Sequence, residues 1–301
     1  MIKVRNLRKT FEEFEAIENI NIQINKGSIY GLLGSNGAGK TTLLKLLSGI
    51  YVQDEGMVTI DEQPIYENMA MKKKLIFIQD TPYFLPQYTV KQMAAFYESL
   101  YPSWDEERYL ELVAIFDMDV HKKIHRFSKG IQRQAAFILA FSTKPEVLIL
   151  DEPMDGLDPV MRKKIKSLLI EDVAEREMTV LIASHNLKEV EDICDYVGIM
   201  HKGRMVIEKD LDDLKSDTRK VQVAFKNGAS LPKALFENTK ILHEEKRGSV
   251  SILIVRGKEA DICANIEEHN PVIFDILPLT LEEIFIYEMG DVGYALENIL
   301  G

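Results

Sequence analysis

Cysteine is nearly missing from this chain: Cys194 and Cys263 are the only two in 301 residues. Both sit in apolar helical patterns with neither disulfide nor metal spacing, so they are expected to be buried thiols in a reducing compartment. Long apolar runs are also lacking. Ala135 to Phe141 is among the longest, far short of the ~20 residues a membrane span needs. The opening Met1-Ile2-Lys3-Val4-Arg5 has no apolar signal core. These absences predict a cytoplasmic chain that works at a membrane only through another subunit. Positive charge is in deficit, and a net charge of −11 argues against a mainly nucleic-acid-binding role. Internal repeats, low-complexity tracts and coiled-coil heptads do not occur. His121, His125, His201, His243 and His269 show no ligand spacing with each other or with cysteine, and read as structural or exposed.

What is present is an ordinary globular composition, 46% hydrophobic and 28% charged, enough for a real core. The length suggests one large or two modest domains. Residues 2–30 alternate as antiparallel strands, with Ile2 and Val4, then Ile20, Ile22 and Ile24. Strands are expected at Ile29 to Leu33, Met57 to Ile60, Leu75 to Ile78, Val147 to Leu150, Thr179 to Ala183 and Val197 to Met200. A mainly helical stretch, about 88–135, interrupts them, and Trp104 is expected to pack within it. Further helices are expected around 160–176 and 187–194. The fold class is therefore α/β: a phosphate-binding-loop core with an N-terminal antiparallel β subdomain and a helical insert. Asp212 to Thr218 reads as a polar linker. Beyond it, strand 221–225, helix 231–237, hairpin 241–256, helix 258–268 and strand 272–276 give the order βαββαβ, similar to the ferredoxin-like split βαβ arrangement. This small α+β domain, 219–301, ends in a helix that Thr280-Leu281-Glu282-Glu283 would open as a capping box.

The sharpest motif is Gly34-Ser35-Asn36-Gly37-Ala38-Gly39-Lys40-Thr41, a G-x-x-x-x-G-K-[ST] loop between a strand and the helix expected from Thr42 to Gly49. Its consecutive N–H groups would curl around phosphates, with the helix dipole adding positive potential. Lys40 would reach the β- and γ-phosphates and Thr41 would offer its hydroxyl to Mg²⁺. The strand Val147 to Leu150 runs into Asp151-Glu152, delivering two carboxylates to its C-terminal tip. Asp151 suits the Mg²⁺ environment, and Glu152 would hold and polarise an attacking water.

With further segments in matching order, residues 1–212 resemble the ATP-binding-cassette (ABC) ATPases. Gln79 stands where that family has its Q-loop glutamine. Phe127-Ser128-Lys129-Gly130-Ile131 stands in place of the signature, commonly Leu-Ser-Gly-Gly-Gln. Asp155-Gly156-Leu157-Asp158 resembles the D-loop, His185 the switch histidine, and Phe11 the aromatic that stacks on adenine. The resemblance implies ATP and Mg²⁺ as ligands and hydrolysis by Glu152, His185 and Gln79. It also implies a Mg²⁺ set of Thr41, Gln79 and Asp151, and nucleotide contacts through Phe11, residues 34–42 including Thr42, and Asp158. Ser128 and Gly130 would open a helix near Ile131 and meet the γ-phosphate held by a second subunit. Lys129 and Ile131 depart from the family signature.

A single cassette with a small C-terminal domain is similar to the ATPase subunit of ABC-2-type exporters. The implied partners are a membrane-spanning permease and a second copy or homologous ATPase subunit, with no nucleic acid. The implied location is peripheral, at the inner face of the cell membrane. The C-terminal domain would stabilise the dimer or regulate it. The rival class is a soluble ABC-type ATPase acting on nucleic acid, ribosomes or cofactor assembly. Long coiled coils, zinc cysteines and a second cassette, which mark many such proteins, are missing here.

Overall fold

The computed structural model describes residues 1–216, 218–226, 240–284 and 286. The chain divides into two compact units, Met1–Glu208 and Lys209–Gly301.

In the first unit, β1 (Ile2–Phe11) and β2 (Phe14–Ile24) pair as an antiparallel hairpin in which Ile2 faces Ile24 and Val4 faces Ile22. The period-two pattern buries Ile2, Val4, Ile20, Ile22 and Ile24 on one face. β3 (Ile29–Leu33) leads through the glycine-rich loop into α1 (Lys40–Leu47). This helix starts two residues earlier than expected because Gly39, at φ +103, closes the loop directly onto Lys40. β4 (Glu55–Ile60) and β5 (Gln63–Pro64) complete an antiparallel sheet ordered β2-β1-β4-β5.

After α2 (Met69–Lys72) and β6 (Leu75–Ile78), the chain turns helical with α3 (Val90–Leu100) and α4 (Glu106–Phe116). Thr89 and Gln92 form a reciprocal capping box at α3, and Asp105 caps α4 by accepting from the Arg108 N–H at 2.9 Å. The Trp104 ring lies 5.4 Å from that of Tyr109. α5 (Lys129–Ser142) begins earlier than expected because Ser128 is its N-cap, accepting from the Ile131 N–H. β7 (Val147–Asp151), α6 (Pro159–Arg176), β8 (Thr179–Ser184), α7 (Leu187–Glu191), β9 (Tyr196–His201) and β10 (Arg204–Asp210) follow. α7 is shorter than the expected 187–194, so Cys194 lies beyond it, buried.

The second sheet is ordered β10-β9-β3-β8-β7-β6, with β9, β3, β8, β7 and β6 mutually parallel. β3, β7 and β8 are buried along their whole length, as parallel strands covered on both faces must be. Their carboxyl ends therefore open into one crevice, which is where parallel α/β sheets hold ligands.

The expected linker at 212–218 is instead mostly helix: α8 (Leu211–Ser216) buries Leu211 and Leu214. The Asp210 carboxylate accepts from the Asp212 and Asp213 N–H groups at its start. Its polar composition hid a short i, i+3 leucine pair. β11 (Thr218–Ala224), β12 (Lys240–Arg247), β13 (Val250–Arg256), α9 (Glu259–Glu267) and β14 (Ile273–Leu277) complete the second unit. The sheet order is β12-β13-β11-β14. β13 and β14 flank β11 and run antiparallel to it, so α9 joins two parallel strands split by a third. The helix expected at 231–237 lies outside the described residues. Thr280 and Glu283 exchange capping-box hydrogen bonds. Cys263, expected buried, is half-exposed on α9. Among the described residues, no helix is long and apolar enough to cross a membrane.

Candidate functional site

A cleft of about 370 Å³ opens at the carboxyl end of the parallel sheet, lined by residues 35–42, Asp151, Glu152, Asp80, Ala16 and Phe14. Two of its glycines are demanded by crowding. A Cβ on Gly34 would lie 2.6 Å from the Met200 carbonyl oxygen, and one on Gly39 would lie 2.7 Å from that of Ala16. Gly37 has open space around it and is needed instead for its φ of +79.

Lys40, only 6% exposed, donates to the Gly34 carbonyl at 2.6 Å and stands 3.8 Å from a Glu152 oxygen. Burial lowers its pKa, and the Glu152 and Asp151 carboxylates push back. Thr41 donates its hydroxyl proton to Asp151 Oδ2 at 2.8 Å, bringing together two side chains 110 positions apart. The Asp151 carboxyl is pushed up by burial and by the Glu152 and Asp80 carboxylates; the Thr41 hydroxyl and Lys40 only partly offset this. A buried carboxylate disfavoured by its carboxylate neighbours, beside a hydroxyl oxygen, is the donor set a hard divalent cation suits.

Glu152 leaves β7 at φ +46, a left-handed conformation unusual for a side-chain-bearing residue. Its N–H donates to the Ala183 carbonyl, and the sharp turn sends its carboxylate toward the end of β8. There Glu152 Oε2 sits 2.9 Å from His185 Nδ1 and accepts from the His185 N–H at 3.3 Å. This contact raises the His185 pKa above its usual 6.5, with burial and, less, Lys40 opposing. The segment is braced from below. Buried Glu189 accepts from the Ser184 hydroxyl, the Asn186 amide and Arg162.

The structure thus brings together residues 35–42, Asp151, Glu152 and His185. Others lie apart from this cluster. Phe11 does not line the cleft: its ring meets Tyr51 edge-on at 5.4 Å with the Lys9 ammonium over it. The aromatic on the lining is Phe14, 65% exposed, at the other end of the same hairpin turn. Gln79 is half-buried, and Asp80 rather than Gln79 reaches the lining. Asp158 serves as the N-cap of α6, accepting from Val160 and Met161 N–H groups ahead of Pro159. Ser128 caps α5 while Gly130 packs against the D-like segment; a Cβ there would lie 2.6 Å from the Gly156 carbonyl oxygen.

Sequence reasoning missed Phe14, Asp80, Glu189 and Arg133. Arg133 is buried on α5, and its guanidinium donates to the carbonyl oxygens of Glu152, Asp155 and Asp80. A lone arginine just ahead of the apolar run from Ala135 to Phe141 was the available signal.

Comparison with known proteins agrees with this geometry. The sequence profile of the family described as ABC transporter matches residues 17–155. The ABC transporter ATP-binding protein YtrB of Bacillus subtilis (strain 168) is 32% identical over 96% of this chain and 98% of its own length. The bacitracin transport ATP-binding protein BcrA of Enterococcus faecalis is 35% identical over 73% of this chain and 72% of its own. A solved ATP-binding subunit of an ABC transporter superposes with a TM-score of 0.67 at 25% identity, covering 71% of this chain and 92% of that one.

Proposed function

The chain belongs to the ATP-binding proteins of ABC transporters and is an ATPase of that family; from that premise we propose that it is the motor subunit of an exporter, with Glu152 as the general base. The observation that carries this reading is the Glu152–His185 contact at 2.9 Å, formed beside the buried Lys40 at the mouth of the phosphate loop.

In the proposed reaction, the N–H groups of residues 35–41 and the Lys40 ammonium hold the β- and γ-phosphates. Lys40 exchanges its bond to the Gly34 carbonyl for phosphate oxygens. Glu152 orients a water and takes its proton as the water oxygen attacks the γ-phosphorus and the bond to the bridging oxygen of ADP breaks. With Nδ1 turned to Glu152, His185 has Nε2 free to donate to the γ-phosphate. Its raised pKa increases the share of imidazolium, which opposes the charge that develops there. Thr41, Asp151 and Gln79 would hold Mg²⁺, which would supply neutralisation of phosphate charge when bound. Phe14, rather than Phe11, offers the flat apolar face for the base.

A second copy would complete each site by presenting Ser128 and the Gly130 N–H at the start of α5 to the γ-phosphate. Two ATP molecules would then close the pair, and hydrolysis would reopen it, the work coming from the different affinities of open and closed states for ATP. Gln79, next to Asp80 on the cleft lining, would pass that state to a permease subunit. Relatives named for bacitracin and lantibiotic transport support an exporter of antimicrobial compounds. The unit beyond Lys209 would steady or regulate the dimer.

The test is Glu152→Gln, which keeps the side-chain shape and removes the base. Hydrolysis is expected to fall by roughly 100-fold or more while ATP affinity holds, with an ATP-dependent dimer seen by sizing. Hydrolysis at the parental rate would sink the assignment.

A further inference from the structure

Arg133 is a buried charged side chain that makes four hydrogen bonds. It leaves α5 five residues after Ser128 and is 6% exposed. Nη1 donates to the Glu152 carbonyl at 2.8 Å and to that of Asp155. Nη2 donates to the Asp80 carbonyl and to the Asp80 carboxylate at 3.0 Å. The planar fork of a guanidinium has the donors to serve three backbone oxygens at once, which a single ammonium nitrogen cannot match in geometry.

The three oxygens belong to two segments whose positions matter for hydrolysis, the stretch after β6 and the stretch after β7. Asp80 ends the stretch that follows β6 and carries Gln79. Glu152 is the residue after β7, and Asp155 lies within the turn that follows. The Glu152 peptide is held from both sides, since its N–H donates to Ala183 while its carbonyl accepts from Arg133. That grip explains how a residue with a bulky side chain persists at φ +46, a strain that survives only when its surroundings over-determine it. One helical turn earlier, Gly130 lies so close to the Gly156 carbonyl that no side chain fits between them. α5 is thus fixed to the Glu152–Gly156 segment at two points.

We propose that Arg133 is a positioning residue for hydrolysis: its guanidinium locks the backbone of Glu152 to the helix that Ser128 opens. The inference rests on the reading of Glu152 as base and of Ser128 as the group facing a second copy's ATP. Given that reading, ATP engaged at Ser128 sets the aim of the base in the same subunit, so the two sites of a dimer fire together. The Arg133 donors go to protein oxygens and the residue is not on the cleft lining, so its loss is expected in turnover and not in the first binding of nucleotide.

The experiment compares Arg133→Gln and Arg133→Lys with Glu152→Gln in the full chain. It measures steady-state ATP hydrolysis against ATP concentration and equilibrium binding of a fluorescent ATP analogue. Arg133→Gln is expected to lower kcat by roughly 10- to 100-fold, the cost of misplacing a reacting group by about an ångström. KM and analogue affinity should stay within about threefold, since binding at the phosphate loop is untouched. Arg133→Lys, which keeps the charge and part of the hydrogen bonding, is expected to recover part of that loss. Parental kcat in a folded Arg133→Gln protein overturns the proposal, as does a loss wholly in nucleotide affinity. If Arg133→Gln does not fold, Arg133→Lys decides: reduced kcat at unchanged affinity supports the proposal, and parental kcat rejects it. Should Glu152→Gln itself turn over normally, the fault lies in the reading of the base and not in the clamp.

Discussion

Replacing Lys40 by alanine tests the electrostatic basis of the site. In the structure its ammonium donates to the Gly34 carbonyl at 2.6 Å and lies 3.8 Å from a Glu152 oxygen, and its charge works to lower the Asp151 pKa. A charge-assisted hydrogen bond contributes about 1.5–3 kcal/mol, so losing one to a phosphate weakens ATP binding by roughly 10- to 150-fold. The nucleotide-free fold suffers as well. Asp151 already has a raised pKa because burial disfavours its charge. A carboxyl whose folded pKa lies above its unfolded value favours the fold below the ordinary carboxylate range and disfavours it as pH rises through the raised value. Removing Lys40 raises that value further, so the variant's melting temperature should fall more at pH 8 than at pH 5. Thermal denaturation with and without Mg²⁺-ATP separates the two effects. At a hundred times Kd, ATP stabilises the parent by about 2.7 kcal/mol; a 100-fold weaker variant gains only about 0.4 kcal/mol at the same concentration. Undiminished affinity or an undiminished ATP-induced shift would refute the reasoning and the phosphate-loop assignment with it.

The Glu152 contact raises the His185 pKa, so its proton NMR titration midpoint should lie above 6.5; the contact stabilises fully below that value and fades as pH rises through the raised midpoint. Glu152→Gln should return the midpoint toward 6.5, and an unmoved midpoint would show that the contact does not form in solution. Phe14→Ala should weaken ATP binding by roughly 2- to 12-fold, from a stacking contribution of about 0.5–1.5 kcal/mol, while Phe11→Ala should lower thermal stability and spare affinity. Equal effects on affinity would return the base-stacking role to Phe11. In Gly31→Ala the new methyl would meet Val190 Cγ1 at 2.3 Å and Cys194 Sγ at 3.0 Å. Urea denaturation should show a loss of about 1–3 kcal/mol, partly restored by Val190→Ala.

The parts of the site that could be read from the sequence are those a continuous stretch of backbone builds. The loop 34–41 needs only its own glycines and the helix that follows, and Asp151-Glu152 needs only an apolar strand to carry it to the sheet edge. The burial of β3, β7 and β8 follows from aliphatic runs. Short polar elements were harder, because in α8 two leucines are outnumbered by charged and polar neighbours. Which aromatic of the first hairpin reaches the cleft was not legible, since Phe11 and Phe14 face one another across its turn.

By itself, then, the amino-acid order determined a glycine-rich loop at residues 34–41 of the kind that suits phosphate, and two acids at the tip of a buried strand, because local backbone geometry and side-chain period suffice for both. Only the tertiary structure decided that Thr41 meets Asp151, that Glu152 turns left-handed onto His185, and that Arg133 joins the loop after β6 to the loop after β7. These contacts join residues 19 to 110 positions apart. Their geometry depends on which strands lie side by side, and the order β3-β8-β7-β6 is set by packing across the whole sheet.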